Sequence, residues 1–142
     1  MENKILIYIK SFVAGILSTL IFHQGILWVI NLFVDISFKP YSMDPTKPFG
    51  VPSIISTAFF AGLWAVLIWQ LVKNRTGKSQ VAYSIILGAV LPTLVAFAVV
   101  LPLKGIEFNW VFIPPGLVLN GIWGFGIWVI MYLLCRKTVT KS

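Results

Sequence analysis

The sequence predicts an all-α membrane protein with four transmembrane helices. They form two tandem helical hairpins related by a pseudo-two-fold axis along the membrane normal. Three observations carry this expectation. The 142-residue chain is 58% hydrophobic and 11% charged, whereas a soluble domain carries about 25% charged residues. It holds four long apolar runs, each near the roughly 20 residues a helix needs to cross a bilayer. Its second half repeats motifs of its first half in the same order. A mean hydropathy of +0.94 agrees: polar groups too few to coat a globule leave lipid as the solvent.

The spans are expected at about 8–34, 54–72, 81–101 and 116–135, in one membrane domain over residues 1–142. Lys4 and Lys10 precede the first run as they would in a secretory leader. The run is much longer than the roughly 7–15 apolar residues of a leader, and no Ala-x-Ala-like site follows it. It is read as a retained first span. The loop after it, Asp35 to Pro52, carries four prolines, which fix φ and remove donors. A stiff, non-helical lid is expected there. Pro52 leads into the second span, and Pro114 and Pro115 lead into the fourth; proline suits a helix start because its missing N–H would have no partner there anyway. The loop Pro102 to Pro115 is rich in Phe and Trp and is expected at the outer interface.

Charge sets the orientation. With four spans, one side holds Lys4, Lys10, Lys73, Arg75, Lys78, Arg136, Lys137 and Lys141 against Glu2. The other balances Lys39, Lys47 and Lys104 with Asp35, Asp44 and Glu107. Positive charge marks the cytoplasmic side, so both termini are expected there. These cations are scattered beside spans and suit lipid headgroups, not a nucleic acid. The tryptophans and tyrosines Trp69, Trp128, Tyr8, Tyr83 and Tyr132 are expected as anchors near that interface.

The repeat pairs Gly62-Leu-Trp-Ala-Val-Leu-Ile-Trp69 with Gly121-Ile-Trp-Gly-Phe-Gly-Ile-Trp128. It also pairs Ala14-Gly-Ile-Leu-Ser-Thr-Leu20 with Gly88-Ala-Val-Leu-Pro-Thr-Leu94. Residues 1–73 and 74–142 then read as two copies of one hairpin, both inserted the same way. Small residues recur along each span. Ser11, Ala14, Gly15, Ser18 and Gly25 mark the first, and Ala58, Ala61, Gly62 and Ala65 the second. Gly88, Pro92 and Ala96 mark the third, and Gly116, Asn120, Gly121 and Gly124 the fourth. Small residues at such spacing let backbones approach, and this drives helix association in lipid.

One polar group of residues stands out. His23, the single histidine, sits beside Gln24 in an apolar run, about 12 residues or roughly 18 Å inward from Asp35 at 1.5 Å per residue. That places it at mid-depth. With Thr19 and Asn31 it forms a polar stripe facing the bundle interior. Pro92 cannot donate to the Gly88 carbonyl, so that oxygen is an acceptor for His23 or Gln24. Trp64, Trp123 and Asn120 are expected at the same level, completing an intramembrane polar node. Ionisable residues inside a membrane are functional candidates. Yet no Asp or Glu lies within the spans, so neither a catalytic triad nor a cation site is legible. One His and one distant Cys135 do not make a metal site. No catalytic residue, metal or cofactor is expected.

The combination of Phe22-His-Gln-Gly25, Pro48-Phe-Gly-Val-Pro52, Leu91-Pro-Thr-Leu-Val95, Pro102-Leu-Lys-Gly105 and Asn120-Gly-Ile-Trp-Gly124 resembles a family of small, uncharacterised four-span inner-membrane proteins of Gram-negative bacteria. The resemblance covers nearly the whole chain. It implies a bacterial inner-membrane location and no activity. The leading expectation is a structural or accessory membrane protein. Its partners would be the bilayer, a second copy or a larger membrane complex. A small transporter or channel with a polar site near His23 and Gln24 is the alternative, and an enzyme comes third.

Overall fold

The computed structural model describes residues 3–103 and 105–136. Among them, four helices are long and apolar enough to cross a membrane: Lys4–Phe33, Ser53–Val72, Gly77–Leu103 and Trp110–Cys135. Sequence boundaries differ from these by a few residues. The first helix starts earlier because Asn3 caps it, its Oδ1 accepting from the Ile5 N–H at 3.0 Å, which satisfies a donor that the helix start leaves open. The fourth starts earlier through a 3₁₀ turn, Trp110–Phe112, capped by Asn109.

The first helix packs along the second and the third along the fourth, while the first against the fourth joins the two hairpins. The second and third touch least of these pairs. The apolar core comes from the first, second and fourth helices: Ala14, Ala65, Ile68, Trp69, Val72, Trp123, Ile127, Ile130 and Met131. Trp69 thus lies inside the core at 7% exposure and not at a surface, where an anchor was expected. Tyr8, Tyr83 and Tyr132 are exposed. Outside, the second helix presents Leu63, Leu67 and Leu71, all exposed. A surface as apolar as the interior is what a lipid solvent permits.

One end of the bundle is basic. Lys10 Nζ donates to the Leu134 carbonyl at 2.9 Å, and Arg75 lies 3.5 Å above the Tyr83 ring. Lys4, Lys73, Lys78 and Arg136 lie at the same end. Glu2, Lys104, Lys137 and Lys141, which the charge argument also used, fall outside the described residues.

Both long helices of odd number carry a π-helical turn. In the first it is Thr19–His23, where the Gln24 N–H reaches back to the Thr19 carbonyl. In the third it is Ala96–Val100, one turn beyond Pro92. The loop after the first helix is a small hairpin. Strands β1 (Pro45–Thr46) and β2 (Val51–Pro52) pair antiparallel, around Gly50 at φ +70°. The expected lid is therefore structured, and it is stitched to the second helix. The Ile54 N–H donates to Ser42 O at 2.9 Å, and the Ser53 N–H to Asp44 O at 2.8 Å.

Candidate functional site

His23 closes the π-helical turn of the first helix. Its Nδ1 lies 3.3 Å from Gln24 Nε2, and Gln24 is buried at 6% exposure. Gln24 Oε1 in turn accepts the Tyr41 backbone N–H at 2.7 Å. Tyr41 also donates its hydroxyl to the Leu20 carbonyl, inside the π-helical turn, at 2.7 Å. Two bonds thus latch the loop to this turn. Tyr41 holds φ at 52°, a left-handed conformation that costs a bulky residue about 1–2 kcal/mol; the two bonds offset that cost.

These bonds fix the depth of the pair. Tyr41 precedes Ser42, which holds the first turn of the second helix, so His23 and Gln24 lie level with that helix's start. The first helix has 30 residues and the second 20. The mid-depth expected from Asp35 is not met, because the first helix runs on past the start of the second. The extra third of the first helix rises beside the loop instead, where Asn31 Nδ2 donates to Leu27 O at 2.9 Å and Phe38 O at 3.2 Å. At the loop's edge, a hydrogen bond from Lys39 holds the Asp35 carboxyl below the usual carboxylate range. Both side chains are exposed, so salt screens the pair.

The residues expected in one polar node occupy three places. His23, Gln24 and Asn31 belong to the loop latch. Thr19, Trp123 and Gly15 form a buried knot deeper down. Thr19 Oγ1 and Trp123 Nε1 both donate to Gly15 O, at 2.9 and 3.2 Å. Ser18 Oγ, fully buried, donates to Trp123 O at 2.6 Å. Asn120 belongs to the third-to-fourth helix seam, where its Nδ2 donates to Thr93 Oγ1 at 2.8 Å. Gly88 and Pro92 are on that seam too. Gln24 turns to the loop, not to the Gly88 carbonyl. Trp64 packs against the edge of the core.

The small residues divide by the space each has. A Cβ on Gly15 would lie 2.5 Å from Ala61 O, and one on Gly88 would lie 2.7 Å from Gly124 Cα. A Cβ on Gly62 would lie 2.6 Å from the Phe12 ring. Gly116 and Gly121 leave ordinary contact distances of 3.5 Å. Gly25 has nothing within 4 Å, so the expectation that it packs a neighbour is not met. At Gly126, outside that small-residue spacing, a Cβ would run into Ser18 Oγ and the Phe22 ring. Gly126 lies two residues from Gly124 and hence faces the opposite helix. A search for small residues four apart reads only one face.

Two outcomes test this geometry. Tyr41→Phe keeps the ring and the N–H bond but removes the hydroxyl bond, at a cost of about 1 kcal/mol. Hydrogen exchange over 38–46 should quicken while the deep seams stay protected; unchanged exchange would remove the latch. Gly25→Ala should be neutral or stabilising, by up to about 1 kcal/mol, because helical glycine is disfavoured and the site is open. A clear loss of stability would show that a neighbour does approach there.

The fold and its seams define a multi-pass, all-helical protein with four helices able to cross a membrane. No family model, curated protein or solved structure matches the chain. Among the described residues, no three His, Cys, Asp or Glu side chains are grouped to hold a metal.

Proposed function

We propose that this chain is an integral protein of a bacterial inner membrane, not an enzyme, with a structural or accessory role. It associates with itself or with a larger membrane complex through small-residue helix faces. Both termini lie in the cytoplasm and the two outer loops in the periplasm. The basic end described above supports that orientation, and the motif resemblance supports the location.

The observation that carries the role is an open apolar groove along the second hairpin. The groove, of about 340 Å³, is floored by Ala89 and Gly121 and walled by Ile85, Leu117 and Phe125. On the first hairpin, the matching Gly62 is covered by Phe12 of the same chain. Elsewhere Ser18, Ser84, Asn120 and Trp123 bond one helix to another. The proposed repeat rests on the paired motifs of the sequence. Gly15 meets Ala61 and Ala65, while their motif counterparts Asn120 and Gly124 meet Gly88, one position from Ala89, the counterpart of Gly15, so the two hairpins pack with similar but not identical register.

Purification of the tagged chain in a mild detergent tests the role. A second, differently tagged copy or a defined membrane protein should co-purify, and Gly121→Leu, which fills the groove, should release it. Recovery of the tagged chain alone would defeat this reading. A transporter or channel is the second reading, favoured by the π-helical turn at His23, since such turns recur at functional sites. It requires that His23→Leu abolish a flux in proteoliposomes while the fold survives.

A further inference from the structure

At the basic end, Gln70 carries a buried Nε2 with no hydrogen-bond partner among the described residues. Its Oε1 accepts from Lys73 Nζ at 2.5 Å, which leaves the amide's NH₂ as the end without an acceptor. Gln70 lines a small cleft with Lys4, Ile7, Tyr8 and Lys73, between the first turn of the first helix and the last turn of the second. A buried donor without an acceptor costs about 1–3 kcal/mol, and such groups are rare enough to need a reason.

The cleft's chemistry supplies one. Its walls offer two ammonium groups, an amide N–H and a phenol, and hold no carboxylate. Among the described residues no carboxylate pairs with Lys4 or Lys73. The enclosed space suits about one oxygen-sized atom. A phosphate fits these terms: one oxygen enters toward Gln70 Nε2 while the others stay outside, between the two lysines. The last turn of a 20-residue apolar helix is also the level at which headgroups begin.

We propose that this cleft binds a phosphate group through Gln70 Nε2 and the Lys4 and Lys73 ammoniums. A phospholipid headgroup and the free ion share that chemistry. The inference goes beyond the accessory role and does not depend on it.

Native mass spectrometry of the full chain in a neutral detergent tests it, with phosphatidylglycerol, phosphatidylcholine and inorganic phosphate as probes. Phosphatidylglycerol should bind more tightly than phosphatidylcholine, whose choline cation the lysines repel. Each of Lys4→Gln and Lys73→Gln should weaken it about fivefold, the equivalent of about 1 kcal/mol per cation at a membrane surface. Lys78→Gln, at the same end but outside the cleft, should leave it unchanged. Gln70→Leu should weaken binding and also raise the melting temperature of the lipid-free protein, because it removes the orphan donor. A purely structural Gln70 would not do both. Displacement of the lipid by millimolar inorganic phosphate assigns the site to the free ion; resistance to displacement assigns it to the headgroup. The proposal is overturned if neither phosphatidylglycerol nor inorganic phosphate binds. It is equally overturned if the Lys4 and Lys73 variants bind like the parent, or if Lys78→Gln loses as much as they do.

Discussion

Gly15→Leu is expected to break the first hairpin and to loosen its hold on the fourth helix. A Cβ at this position would lie 2.5 Å from both Ala61 O and Ala65 Cβ, and 2.9 Å from Gly62 Cα. None of these atoms can rotate away; the first helix itself must move. Gly15 O is also the shared acceptor for Trp123 Nε1 and Thr19 Oγ1, so displacement pulls the fourth helix's indole off its partner. Overpacking costs about 1–3 kcal/mol, and a buried bond lost with it adds about 1 kcal/mol. A total of roughly 2–4 kcal/mol follows. Unfolding in mixed micelles by SDS titration, followed by circular dichroism, reads it. A loss below about 1 kcal/mol would mean that the helices do not approach as closely as this.

Why Gly15 was legible and Gly25 was not comes down to one local event. Helix-face reasoning assumes 3.6 residues per turn throughout. It holds from Ser11 through Ser18, and those residues do lie buried between helices. At Thr19–His23 the chain takes a π-helical turn, which inserts a residue and rotates everything after it by about 100°. Gly25 is carried off the seam. Thr19 stays in the core, while His23 and Gln24 swing to the loop. The stripe of Thr19, His23, Gln24 and Asn31 was drawn across that break. Nothing in TLIFH announces a π turn, because its partner, Tyr41, is remote in sequence.

The four apolar helices were legible for the opposite reason. Each long run is a bulk property, insensitive to a single register shift. Depth was not, because it depends on where helices end relative to one another. The ten-residue difference between the first and second helices is filled by the loop hairpin, whose path the prolines constrain without specifying. On the third-to-fourth helix seam, Gly88, Asn120 and Gly124 recur along nearly regular helix, and the spacing found them. Ser84, whose hydroxyl donates to Gly124 O at 2.7 Å, completes that seam; a lone serine in a span gives no sequence signal of its own.

Gly124→Leu is expected to part the third and fourth helices, again at a cost of roughly 2–4 kcal/mol. A Cβ there would run into the Ser84 carbonyl oxygen and sit 3.1 Å from Gly88 Cα. The two backbones meet with glycine on both sides, as Gly15 and Gly62 do in the first hairpin. Even Gly124→Ala should cost about 1–2 kcal/mol, because one methyl must move a helix. Gly121→Ala is the informative contrast. It lies three residues away on the same helix and meets Ala89 Cβ at an ordinary 3.5 Å, so it should be neutral. Helix propensity favours alanine equally at both positions, so a difference between them measures the backbone approach alone. Equal effects in the SDS titration would place the seam on a general preference for small residues and not on contact at Gly124. A selective loss at Gly124 would locate the hairpin's stability in the Ser84–Gly88–Gly124 contact, where a second hydrogen-bonded group and two glycines occupy space that no larger pair could share.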